Sequence, residues 1–293
     1  MRYIEKHPMI MIVVGILGIS LSSIFVKYSA APSAVTAAYR LLWTILLQSP
    51  IVLGKQAIRK ELFLVSRKTF LLSCLSGICL AIHFVLWFES LKHTSVASST
   101  TIVCTEVIWV CLGYWLFLNG RISKKEMAAI AVTLSGSVLI AFSDSASGDA
   151  HLYGDVLSLL AAIAVAAYVL LGRIVRENTS TAVYTYIVYS ACAVGLLILC
   201  VISGYGLMQY GNRVVAVGLL LAVFSTILGH SIFSWCLKFF SPSFVSASKL
   251  CEPVAAAVMA GFLFGEIPTP VQILGGLLIL GGVAYYSMLE REV

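Results

Sequence analysis

Apolar residues run almost without interruption along this chain, parted by short polar connectors at intervals close to one membrane crossing. A helix needs roughly 20 apolar residues to cross a hydrocarbon core about 30 Å thick, so these runs predict about ten transmembrane helices. The predicted spans are 8–29, 34–54, 69–91, 95–118, 126–143, 153–172, 180–203, 214–237, 243–264 and 270–289. The first run ends near Ala30-Ala31, as a signal peptide does. Its length and the proline directly after it, Pro32, make it a retained span instead.

Composition agrees with this pattern: 60% of residues are apolar and 11% charged, against about 25% charged in soluble domains. The longest polar stretch between spans, Lys55 to Lys68, is too short to fold as a domain, and the chain has no GxxxxGK[ST] phosphate loop. ATP-driven pumping by this chain alone is therefore not expected. The eight cysteines all fall inside apolar runs without metal-type clustering and read as free packing thiols.

The charge pattern sets the topology. Arg2 and Lys6, Lys55 to Lys68, Arg121 to Lys125, Arg173 and Arg176, Lys238 and Arg291 lie on alternating connections. The opposite connections carry Asp144, Asp149, Asp155 and Glu266, with only Lys27, Lys92 and Arg213 as basic residues. Basic loops stay in the cytoplasm, so both termini are expected there, with the chain in the cytoplasmic (inner) membrane. No basic patch interleaved with aromatics is present, and no nucleic-acid partner is expected.

A weak internal repeat organises the spans. At a shift of 145, Thr36-Ala37-Ala38-Tyr39 matches Thr181-Ala182-Val183-Tyr184, and Gly120 and Gly136 match Gly265 and Gly281. At a shift of 146, Leu91-Lys92 matches Leu237-Lys238 and Glu106 matches Glu252. The chain reads as two five-helix halves, 1–145 and 146–293. An odd number of helices per half forces the second to enter the membrane from the other side. The expected fold is therefore an all-α membrane protein of two inverted repeats, the construction of many secondary transporters, with the site near the midplane between the halves.

The second half carries Ser246-Ala247-Ser248-Lys249-Leu250-Cys251-Glu252-Pro253-Val254-Ala255, then Phe264-Gly265-Glu266-Ile267-Pro268-Thr269-Pro270 and a glycine-rich run from Gly275 to Gly282. With Tyr39-Arg40-Leu41 after Ala30-Ala31-Pro32 in the first half, these motifs resemble the drug/metabolite transporter superfamily, EamA type, over essentially the whole chain. The resemblance implies a central cavity lined mainly by the first four helices of each half, with the fifth and tenth bracing the outside, and transport of amino acids or other small metabolites. Glu106-Val107 departs from the family pattern, where a proline commonly follows a small residue, and points to a specialised substrate or coupling.

Ionisable side chains at a helix centre cost roughly 2.5–3.5 kcal/mol on insertion scales, so those retained face a cavity or a partner. Glu106 and Glu252 lie near the middle of the fourth and ninth spans, at equivalent positions of the repeat. Lys249 and Glu252, three apart, are placed to pair on one helix face; alternatively Lys249 takes a substrate carboxylate, with Pro253 opening the backbone nearby. Glu106 has no basic residue one helical turn away. It is read as a proton carrier, a contact for a substrate ammonium, or a carboxyl bonded to another helix. Trp109, one turn on, offers a face for a cation.

His83 with Trp87 and His230 with Phe233 form pairs on predicted helices; the histidines lie 147 apart, near the repeat shift. They are either hydrogen-bonded core residues or groups facing one central space. Tyr39, Tyr168, Tyr184, Trp115 and Trp235 read as cavity walls or interface anchors. Arg40 is expected to snorkel to the outer interface or to pair with Glu89, in preference to contacting substrate. The polar stretch Ser95 to Thr101 is expected to face protein or water, and Gly261 with Gly265 forms a GxxxG packing motif.

The function expected is secondary transport by alternating access, with export of an amino acid or similar zwitterion as the first reading and an organic cation as the alternative. Protons are the candidate coupling ion, no cofactor is expected, and the assembly is a monomer or homodimer. An intramembrane enzyme is a remote third reading, since the chain has neither HExxH nor GxSxG.

Overall fold

The computed structural model describes residues 8–94, 96–144, 152–255, 258 and 269–290, and every element among them is helical. In chain order these are α1 (Pro8–Lys27, interrupted at Leu21), α2 (Ser33–Gly54), α3 (Gln56–Leu64), α4 (Arg67–His93) and α5 (Val96–Cys104 and Glu106–Leu118). They continue as α6 (Lys124–Asp144), α7 (Leu152–Arg176), α8 (Thr181–Ile202), α9 (Leu207–Cys236), α10 (Pro242–Ser248) and α11 (Pro270–Glu290). Eight helices among the described residues are long and apolar enough to cross a membrane. α6 occupies the predicted fifth span. The predicted span 243–264 begins with α10, but 256, 257 and 259–268, including Gly261 and Gly265, lie outside the described residues.

Local signals at helix ends match the chain's polar punctuation. Ser66, Ser180 and Ser241 cap α4, α8 and α10 by accepting the backbone N–H of Thr69, Val183 and Phe244. Asn119 takes a left-handed conformation, φ 52°, to end α5. The connector Lys55 to Lys68 contains α3, which buries none of its residues and leaves Phe63 and Leu64 largely exposed. That combination of charge and exposed apolar surface belongs to a helix lying in the membrane interface.

α4 shows how the bundle sorts its faces. Leu71, Leu75, Ile78 and Ile82 are exposed on one side, while Ser73, Ser76, Leu80, His83, Phe84 and Trp87 are buried on the other. Lipid tails are as apolar as leucine, so the small and polar residues turn inward and the large aliphatic ones outward. α4 packs along α7 and α8, α2 against α8 and α9, and α6 along α11. The α6–α11 contact is close because a Cβ on Gly136 would sit 2.5 Å from the Gly275 carbonyl, and one on Gly275 would sit 2.7 Å from the Gly136 carbonyl. Ser99, in the polar opening of α5, is fully buried and bonds Ser90 at 2.6 Å, so this part of the stretch faces protein.

Candidate functional site

Besides the interruption of α1 at Leu21, three breaks in helical geometry surround the centre of the bundle. α5 is interrupted at Thr105, where Thr105 N–H bonds Ile102 O and Ile108 N–H bonds Thr105 O, both three residues apart. After α10 the chain tightens into a 3-10 turn, Lys249–Cys251, and resumes as helix at 252–255. Pro253 has no N–H to give the Lys249 carbonyl, and the Glu252 N–H bonds it instead. In α9 the stretch Leu221–Ser231 is a π-helix, a geometry that recurs at functional sites.

These breaks border a central cavity of about 40 Å³. α1 contributes Ser22, α4 contributes His83 and Trp87, and α5 contributes Glu106. Ser225 and His230 enter from the π-helix, and Lys249 and Glu252 from the segment after α10. Such a volume holds on the order of three waters, so any larger solute must part the walls.

Lys249 Nζ donates to Glu106 Oε1 at 2.8 Å, with both side chains almost fully buried. This corrects the expected pairing of Lys249 with Glu252: the ammonium reaches across to α5, a partner 143 residues away that helical spacing does not reveal. It also supplies the partner Glu106 lacks on its own helix. Lys249 Nζ lies 5.4 Å from the Phe233 ring centroid, an aromatic face beside the ion pair. Trp109 packs half-buried against the core and does not line the cavity. The Glu252 carboxylate faces the cavity with no hydrogen bond or ion pair among the described residues, while its backbone carbonyl accepts from Ser20 Oγ at 3.3 Å.

The two histidines meet. Their ring centroids are 6.3 Å apart; His83 stacks on Trp87, and its Nδ1 lies 3.0 Å from the Ala161 carbonyl. His230 sits edge-on to Phe84 and to Tyr168, whose hydroxyl bonds Ser234 Oγ at 2.7 Å. Tyr39 is remote from the cavity lining: its hydroxyl donates to Leu207 O and ties α2 to the start of α9. Tyr184 is buried with its hydroxyl 2.8 Å from Ser76 Oγ, whereas Trp115 is exposed.

Arg40 overturns its expectation of snorkelling or pairing with Glu89. It is fully buried, donates from Nε to Thr226 Oγ1 on the π-helix at 2.7 Å, and sits 4.1 Å over the Phe84 ring. Glu89 instead accepts from Ser33 and Lys92. A charge within a span was a sufficient signal for Arg40; nothing in the local sequence singled out Ser22 or Ser225. Trp87 Nε1, Ser225 Oγ, His230 Nδ1 and Arg40 Nη2 are all buried with no hydrogen-bond partner among the described residues. Buried polar atoms are seldom unpartnered. The cavity thus combines one closed ion pair, one further carboxylate and several unused polar groups, an arrangement suited to a small, polar, charge-bearing solute.

The EamA-like transporter family model matches residues 7–142 and 152–288. A "probable amino-acid metabolite efflux pump" of Salmonella typhimurium is 27% identical over 237 residues, covering 76% of this chain and 79% of that protein. An "uncharacterized transporter YwfM" of Bacillus subtilis is 24% identical over 221 residues, 74% of this chain and 73% of its own. One solved crystal structure shares the fold, with a TM-score of 0.78, 16% identity and 98% coverage of both chains. The relatives and the matched family are transporters, not enzymes, and the chain belongs to the EamA-like transporter family, within the drug/metabolite transporter superfamily.

Proposed function

We propose that this chain exports a small zwitterion, an amino acid or close relative, by alternating access between two inverted five-helix halves, 1–145 and 146–293, with both termini in the cytoplasm. The observation that carries this reading is the Lys249–Glu106 ion pair inside the central cavity, with the unpaired Glu252 carboxylate beside it. Breaking a buried pair by removing one partner costs about 3–5 kcal/mol, because the other charge is left uncompensated. A zwitterion avoids this penalty. Its carboxylate replaces Glu106 on Lys249, and its ammonium takes Glu106 and Glu252, so the cavity widens without stranding a charge. A simple anion would strand Glu106, and a simple cation would leave Lys249 alone. The Salmonella relative's name, an amino-acid metabolite efflux pump, agrees in both substrate class and direction.

Glu252 is the group for coupling to protons, being a cavity carboxylate with no ion-pair partner among the described residues. An organic cation is the second reading, favoured by that same carboxylate near the stacked His83 and Trp87 rings. The test is efflux from proteoliposomes loaded with labelled amino acids or with organic cations, under an imposed pH gradient. Amino-acid efflux driven by the gradient, lost in Glu252→Gln while gradient-free exchange persists, is the expected outcome. Efflux of cations alone sinks the zwitterion reading, and unchanged gradient dependence in Glu252→Gln sinks the coupling role.

A further inference from the structure

Away from the central cavity, the lipid-facing side of the bundle carries a groove of about 520 Å³ between α4 and α8, in the size range of about 300–1,000 Å³ typical of small-molecule sites. Phe70, Cys74 and Ile78 line it from α4. Ser190, Ala191 and Gly195 of α8 form its shallow-residue floor, and a Cβ added at Gly195 would meet only Ala81, at 3.8 Å. Along α8 the groove extends from Tyr186 to Ile198, about 18 Å at helical rise. On α4 the groove starts one turn inside the helix, at Phe70, and ends near its middle, at Ile78, whereas on α8 it passes the middle and stops four residues before the helix end.

Its outer end is basic. Leu62 of α3 closes that end, and Glu61 Oε1 accepts the Ser180 N–H at 2.6 Å, holding the interfacial helix against the start of α8. Lys55, Arg59 and Lys60 on and before α3, and Arg67 and Lys68 opening α4, are all exposed. None of the five forms an ion pair among the described residues.

We propose that this groove binds one acyl chain of an anionic glycerophospholipid whose phosphate rests on the basic end, chiefly on Arg67 and Lys68. Its length, its apolar lining and the charge at its end fit one such molecule, since basic residues beside a membrane attract anionic headgroups. A second copy of this chain is the poorer occupant. A two-fold interface presents the same patch from both subunits, which would bring the two basic clusters together. The site is independent of the central cavity and of what the protein transports.

The proposal is tested on the full chain by native mass spectrometry with phosphatidylglycerol, phosphatidylethanolamine and phosphatidylcholine of identical acyl chains. Phosphatidylglycerol should be retained preferentially. Arg67→Gln and Lys68→Gln should weaken it about fivefold per charge removed without affecting phosphatidylcholine, and Gly195→Leu, which fills the groove, should weaken all three lipids. The unmutated protein supplies a second measurement, because Cys74 lies in the groove and is partly exposed. Its labelling by a lipid-soluble maleimide, mapped by peptide mass, should slow on adding phosphatidylglycerol and less with phosphatidylcholine. Equal labelling with and without lipid overturns the proposal, as does a lipid-free dimer that protects Cys74.

Discussion

Lys249 and Glu106 form a pair whose worth depends on both charges being present. With the two side chains 9% and 5% exposed, Glu106→Gln or Lys249→Met alone should lower stability by about 3–5 kcal/mol. The double variant should recover most of that loss, since neither member of the pair is then left without the other. Thermal unfolding in detergent with a double-mutant cycle checks this; additive losses would mean that the contact is not a coupled pair. Arg40 makes a different demand, for a planar fork. Its guanidinium reaches Thr226 and lies on Phe84 at once, a geometry that lysine does not reproduce. Arg40→Lys should therefore destabilise by about 1.5–3 kcal/mol, the worth of a hydrogen bond to a charged group. Thr226→Val should cost a similar amount through the same bond. At this scale the sequence exposed which residues are expensive in lipid, and misplaced two of their contacts. Helical spacing suggested Glu252 for Lys249, but the nearest acid in space is on another helix. Arg40, numbered near a predicted span end, is buried because α9 packs over α2.

Among the helices, lengths and starts follow from apolar runs and serine caps, while the departures from regular geometry follow from packing. The break after α10 was partly legible, since Pro253 cannot donate, but nothing at Thr105 or along Leu221–Ser231 announces a 3-10 step or a π-helix. The glycines show the same division. Of two glycines that the repeat places at equivalent positions, Gly136 lies against the Gly275 carbonyl of α11, whereas a Cβ at Gly281 would meet nothing within 4 Å. Gly136→Ala should thus cost about 1–3 kcal/mol, because a backbone carbonyl cannot yield as a side chain can. Gly281→Ala should be neutral or stabilising by up to about 1 kcal/mol through helix propensity. Comparing the two melting temperatures tests the pairing, and equal effects would argue against a close α6–α11 seam.

For the whole molecule, the expected topology of both termini inside follows from the basic loops, and the proposed inversion of the halves follows from an odd helix count. Reporter fusions at the two termini should both be active as cytoplasmic proteins, and a reporter in the 203–206 connection between α8 and α9 should be active only as an exported one. Opposite sides for the two termini would remove the five-plus-five arrangement. The apolar run lengths, the alternation of basic loops and the family motifs were sufficient by themselves to identify a membrane-spanning transporter, because the bilayer imposes its thickness and charge asymmetry on any chain that crosses it. Only the tertiary structure decided which buried charge answers which. It joined Lys249 to Glu106, placed Arg40 against the π-helix, brought His83 to His230 and left the Glu252 carboxylate facing the cavity. The physical reason is that a charge buried among helices takes its partner from whatever side chain packing brings within hydrogen-bond distance, and that distance in space is not written in the spacing along one helix.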